Sequence, residues 1–296
     1  MMSRYALLVF TLAVAPIPAL AHSAKHTVPG SWSLELLALL PIMLAGIFYL
    51  LGLARLRIRT GTLAAAGPIR VTLFAFGLLL SVVLLVSPLD GWAERFLSAH
   101  MVQHFGLMLI AAPLLALGRP GIVYLWALPQ SWRQDFARFR SGKLGRASRA
   151  LFTPFGAWLT YFLVLWLWHS PPLFARALQH EAVHALQHLC FLGAALLFWS
   201  VVIQGPRGEG RAAMLVVIFT TAVQSCALAA LMTMSSIQWY PFYSEGPFGL
   251  SALEDQQLSG LIMWVPCCAI MIGAGVATMA TLLRDIETRM QQARRR

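Results

Sequence analysis

Two short stretches of this chain carry imidazoles at helical spacing. HEAVHALQH places His180, His184 and His188 four residues apart, and HMVQH places His100 and His104 at the same interval. On an α-helix, residues at i and i+4 lie one turn apart on one face, a spacing that lets two imidazoles share a metal ion. The outer two histidines of HEAVHALQH are about 12 Å apart along the axis, so one ion takes one or two of them and needs partners from elsewhere. His100, His104 and His169 are the natural candidates. Opposed histidines on facing helices suit either a metal ion between imidazoles or a haem with axial imidazoles. HMVQH lacks the glutamate of a zincin HExxH, with Val102 and Gln103 in the middle, so metalloprotease chemistry has no general base. One membrane-embedded histidine is readily explained as polar glue between helices. Five in two i, i+4 series point to ligation, because ionisable groups inside a bilayer are costly and commonly functional.

Other donors gather around these stretches. Met101 and Met108 flank the first pair, and Met232 and Met234 close a later apolar run; thioethers suit cuprous copper, although methionine is also ordinary packing. In SALEDQQLSGLIMWVP, Glu254 reads as a helix cap and Asp255 as a carboxylate that orients a ligand imidazole. Asp90, in SPLDGW, has the same two readings. Four cysteines, Cys190, Cys226, Cys267 and Cys268, all lie in apolar runs and read as buried thiols. Adjacent helical residues such as Cys267 and Cys268 diverge, which makes them a poor chelate on their own.

The elements that must position these groups are membrane helices. The chain has 296 residues, is 59% hydrophobic and 11% charged, and has a mean hydropathy of +0.72. That is too little charge for the surface of a soluble protein of this length. The start, MMSRYALLVFTLAVAPIPALAHSAKH, has a basic residue, a short apolar core and the small-x-small triplet Ala19-Leu20-Ala21, the pattern of a cleavable signal peptide over residues 1–21. Cleavage there exposes His22 as a terminal amine and imidazole, with His26 close behind. Apolar runs follow at about 32–54, 69–87, 96–117, 154–169, 180–203, 211–234 and 257–283, each near the ~20 residues a span requires. The expected fold is therefore all-α: a polytopic bundle of about seven transmembrane helices over residues 22–286, ending in a basic tail at 287–296.

Charge sets the orientation. All of the 22 Lys and Arg except Arg4, Lys25, Arg95 and Arg176 fall in RLRIRT with Arg70, the 119–149 loop, the Arg207–Arg211 turn and the C-terminal tail. Seven alternating spans put those segments on one side, which the positive-inside rule makes cytoplasmic. The formal charge of +11 thus marks topology and an affinity for anionic lipid. Nucleic acid is not an expected partner, since no basic run is interleaved with a stacking platform. Every histidine falls on the opposite, outer side, beside Asp90, Glu94, Glu181, Glu245, Glu254 and Asp255. The 119–149 loop, which mixes aromatics with Arg and Lys, reads as an interfacial segment on the inner face.

Taken together, SPLDGWAERFLSAHMVQHFGLMLIAAPLLALGRP, HEAVHALQH and LEDQQLSGLIMWVP resemble the CtaG family of caa-type cytochrome c oxidase assembly proteins, over about residues 35 to 285. The resemblance implies a non-enzymatic inner-membrane assembly factor that assists the copper-containing centre of a haem-copper oxidase. The positions matching the family's patterns are His100, His104, His169, His180, His184 and His188, with Asp90 and Asp255. It also implies copper as the metal, an oxidase subunit as partner and a copper donor protein upstream. The chain departs from the family at Cys267-Cys268, where relatives often carry glycines. It also lacks the histidine often found in the sixth span, here TAVQSCALAA, which makes Cys226 a candidate substitute ligand. Competing readings are a bis-histidine haem protein for electron transfer, a copper or proton transporter and a scaffold without metal. The apolar inner halves of the spans argue against transport.

Overall fold

The computed structural model describes residues 36–62, 66–205 and 209–295. The expected signal peptide, His22 and His26 lie outside the described residues. Among those described, the chain is helical, relieved only by short turns and an isolated bridge between Glu245 and Ser251. Among the described residues, six helices are long and apolar enough to cross a membrane. They include α1 (Leu36–Thr60), α2 (Pro68–Val86) and a third span assembled from α4 (Leu97–Phe105), a π-helical turn (Gly106–Ala111) and α5 (Ala112–Leu117). Between the second and third spans lies the short α3 (Pro88–Ala93).

The expected fourth span is shorter than the others. α9 (Pro154–Trp168) has 15 residues and reaches span length only together with α8 (Lys143–Leu151), from which it bends by 68°. Pro154 explains the break: proline starts a helix well but cannot continue the one before it. α6 (Pro120–Ala127) and α7 (Gln130–Ser141) precede this pair. α7 buries none of its residues and exposes Trp132, Phe136 and Phe139 beside its arginines, the composition of a helix lying in a lipid interface.

α10 (Pro171–Gln179) leads into α11 (Glu181–Gln204), then α12 (Glu209–Met234) and the terminal α13 (Ala252–Arg294). At 43 residues α13 is about 65 Å long, roughly twice a hydrocarbon core, and it runs unbroken past residue 286. Arg211 at the start of α12 pairs with Asp285 of α13 at 3.3 Å, tying the two helices where both leave the apolar layer. Near the other end they cross closely. A Cβ on Gly260 would stand 2.2 Å from Thr233 Oγ1 and 2.7 Å from the Ala229 carbonyl, so only glycine permits this approach.

The third span is the centre of the bundle: 67% of its apolar stretch is buried, against 17% for α13 and 22% for α1. Its partner in the core is α11, whose Phe191, Ala195, Phe198 and Trp199 pack with Met108, Ala112, Tyr161 and Leu165. The two histidine-bearing helices are therefore the two most enclosed ones.

The break in the third span follows from Pro113. In the π register, Ala112 N–H donates to the Leu107 carbonyl five residues back. The next carbonyl, that of Met108, faces a proline with no N–H to give. The Trp199 indole N–H supplies the bond instead, at 2.9 Å. This is the way bilayer-embedded proline is tolerated: a neighbouring helix serves the freed carbonyl.

Candidate metal centre

Three helices bring the histidines together, and a fourth helps to enclose them. α4 presents His100 and His104 on one face, with ring centroids 4.3 Å apart; α11 presents His184 and His188, also 4.3 Å apart. Across the interface His100 lies 5.3 Å from His184, and His104 lies 5.3 Å from His188. His169, at the C-terminal end of α9, approaches His104 at 6.2 Å. Phe174 of α10 and Phe191 of α11 wall the group, 5.1 Å from His100 and 4.5 Å from His104.

His100, His104 and His188 each offer a ring nitrogen within 4.8 Å of the other two. Imidazoles on a tetrahedral ion with ~2.0 Å bonds have nitrogens ~3.3 Å apart, so small side-chain rotations suffice to close a triad. The nitrogens are also available. Both ring nitrogens of His100, His104 and His188, and Nε2 of His169 and His184, are buried without a hydrogen-bond partner. Each such group left unsatisfied costs about 1–3 kcal/mol, and so many in one place fit an occupant that accepts their lone pairs. His169 is already oriented for that role. Its Nδ1 lies 2.7 Å from the Leu165 carbonyl, which can only accept, so Nδ1 carries the proton and Nε2 keeps the lone pair.

His180 stands apart, exposed as the N-cap of α11 and outside the triad. Asp90 and Asp255 act on the helices that carry the histidines. Asp255, fully buried, accepts the backbone N–H of Leu97 at 2.7 Å and of Ser98 at 3.3 Å. It thereby caps α4 from a distant helix, where the local N-cap Phe96 has no side chain able to do so. Asp90 accepts at 2.9 Å from Gln103 Nε2, which also donates to the Leu84 carbonyl at 2.9 Å. Gln103 stood out in the sequence only as a middle residue of HMVQH; here it locks the face of α4 beside the imidazoles to α2 and α3. Met101, also fully buried, packs with Phe174, Tyr240 and Tyr243.

The remaining polar residues of LEDQQ have separate tasks. Glu254 forms a capping box with Ser251. Gln256 accepts from Trp239 N–H and donates to the Ile237 carbonyl, and Gln257 donates to the Ser235 carbonyl. These bonds fasten the 235–251 loop over the histidines. From that loop Tyr240 donates to the His169 carbonyl at 2.7 Å and Tyr243 to the Ala93 carbonyl at 3.1 Å. Both phenols are held above their ordinary range, chiefly by burial, and Tyr243 further by Asp255. Neither tyrosine stood out in the sequence; the only signal was an aromatic cluster, WYPFY, in an extramembrane turn. Gln187, between His184 and His188 and with both amide atoms buried and unpartnered, was missed as well.

Cys226 does not join the triad. Its Sγ lies 2.8 Å from that of Cys268, across the α12–α13 interface. Cys267 points the other way, into the core, where it lines a cavity that His104 also borders, as expected of adjacent helical residues.

Fold and site define a multi-pass helical membrane protein with a buried imidazole cluster set between its two central spans. The chain belongs to the cytochrome c oxidase caa3 assembly factor family (Caa3_CtaG), whose family model matches residues 47–285. No curated protein and no solved structure matches it.

Proposed function

We propose that this assembly factor receives copper at the outer face of the inner membrane, holds it on His100, His104 and His188, and passes it to an oxidase subunit whose copper centre is being built. The observation that carries this reading is the convergence of three buried imidazoles with unpartnered nitrogens within 4.8 Å. Imidazole accepts either copper state and exchanges readily, as cargo requires. His184 and His169 flank the triad and offer alternative donors during loading and release. Asp90 and Asp255 support it through the backbone and Gln103, and Met101 through packing. The protein acts by delivery rather than turnover, with an oxidase subunit and a copper donor as partners. In the mature chain the signal peptide of residues 1–21 is removed and the C-terminus is cytoplasmic.

The packing around the rings favours an ion over a haem. The space beside His104 and His169 amounts to about 40 Å³ and the cavity that His188 borders to about 230 Å³, both below the ~300–1,000 Å³ of a cofactor-sized pocket, and Phe174 and Phe191 fill the flanks. The test is metal analysis and visible absorption of detergent-purified protein expressed with copper, beside a His100→Ala, His104→Ala, His188→Ala variant. Copper in the parent alone, without a Soret band, supports delivery. A Soret band moves the function to electron transfer, and absence of both metal and haem leaves a scaffold.

A further inference from the structure

On the core side of the triad the chemistry changes from nitrogen to sulfur. The cavity of about 40 Å³ beside His104 and His169 is lined by Met101, Met108, Met263 and Cys267. These residues come from three helices: the third span supplies two thioethers, α13 a thioether and a thiol, and His169 an oriented Nε2 from the end of α9. His104, His169, Met101, Met108 and Cys267 are all buried, and both ring nitrogens of His104 and Nε2 of His169 are unpartnered.

We infer that this chamber is a second metal station, selective for a soft monovalent ion, which in this protein is the cuprous ion; the inference rests on the copper reading of the imidazole triad. The three thioethers select cuprous copper over zinc and cupric copper, a discrimination that thiolate and imidazole, both ordinary zinc ligands, do not make by themselves. Charge supports the assignment. When a cuprous ion binds, Cys267 loses its proton, so one positive charge replaces another and the buried site gains no net charge. His104 borders both donor sets and, with one lone pair, serves one ion at a time, so a cuprous ion passes between triad and chamber by ligand exchange, without a redox step; with both stations filled, His169 and the sulfurs hold the inner ion. The two stations then divide the work: the imidazoles capture at the outer side, and the sulfur chamber retains the ion until a partner draws it out.

The experiment titrates the purified full-length protein with cuprous ion under a competing chromophoric chelator, and separately with zinc, and reads copper ligation by X-ray absorption. The parent is expected to bind two cuprous ions, with sulfur in the coordination shell, and a single zinc. Cys267→Ser combined with Met263→Leu is expected to lose one cuprous ion, or weaken it at least tenfold, together with the sulfur signal, while zinc binding is unchanged. Met108→Leu, nearly isosteric, gives a milder loss and guards against misfolding of the double variant. His188→Ala is expected to lose zinc and keep the sulfur-bound copper. Copper bound through nitrogen alone, or a double variant indistinguishable from the parent, overturns the chamber and leaves the triad standing. A parent that binds no copper overturns both.

Discussion

The carboxylate of Asp255 accepts the backbone N–H of Leu97 at 2.7 Å across 158 residues of sequence. The last span thereby caps the helix that carries His100 and His104. Removing the carboxylate should act first on that helix. Asp255→Ala should cost about 1–2 kcal/mol, the usual loss for a missing cap, and lower the thermal midpoint in detergent. Asp255→Asn, which retains an acceptor, should recover most of it. A loss of metal with no loss of stability would show that Asp255 is instead a ligand.

The two ends of HEAVHALQH should differ in their effect. His188 lies in the triad, whereas His180 is exposed at the helix N-cap. His188→Ala should reduce bound metal at least tenfold, and His180→Ala should leave it within twofold, measured by equilibrium competition. Equal losses would mean that the site rearranges to include His180.

Trp199 should be coupled to Pro113. Trp199→Phe removes the donor to the Met108 carbonyl and should destabilise by about 1 kcal/mol. In a Pro113→Ala background the backbone regains an N–H that can serve that carbonyl, so the same change should cost less. A double-mutant cycle with a coupling near zero would refute the relation.

The loop over the histidines should loosen in alkali. Tyr240 and Tyr243 lie in the extramembrane 235–251 loop with phenols held above the ordinary value of ~10. A group whose folded value is raised contributes stability that is fully present below its unfolded value and is lost as pH rises through the folded one. The phenolate absorbance of these two tyrosines should therefore appear only well above pH ~10, together with loss of loop protection in hydrogen exchange. Tyr243→Phe, which loses the bond to Ala93, should raise exchange of the loop already at neutral pH.

Much of this was legible in the residues. The i, i+4 intervals in HMVQH and HEAVHALQH are a helical periodicity, so the pairing of His100 with His104 and of His184 with His188 follows from helix geometry alone. Apolar runs of span length define the all-α bundle, because a bilayer leaves the backbone few alternatives. The fourth run is the shortest of the seven, and the structure makes it a 15-residue helix that meets the one before it at a 68° bend ahead of Pro154. The work of Gln103, Tyr240 and Gln256 was not legible, because a single polar residue carries no period.

Local chemistry, then, settled the membrane character, the number of helical runs and which helices bear imidazoles, since each depends only on composition and on intervals of a few residues. Tertiary packing decided which imidazoles meet: His188 is drawn into the triad, His180 is left at the surface, and Asp255 goes to a helix terminus. It also turned Cys267 into the core cavity and Cys268 toward Cys226. These outcomes depend on how far each helix is rotated and displaced against its neighbours. That is set by the close contact at Gly260, the π turn before Pro113 and the cross-helix bonds of Trp199 and Asp255, none of which has a counterpart in the spacing along the chain.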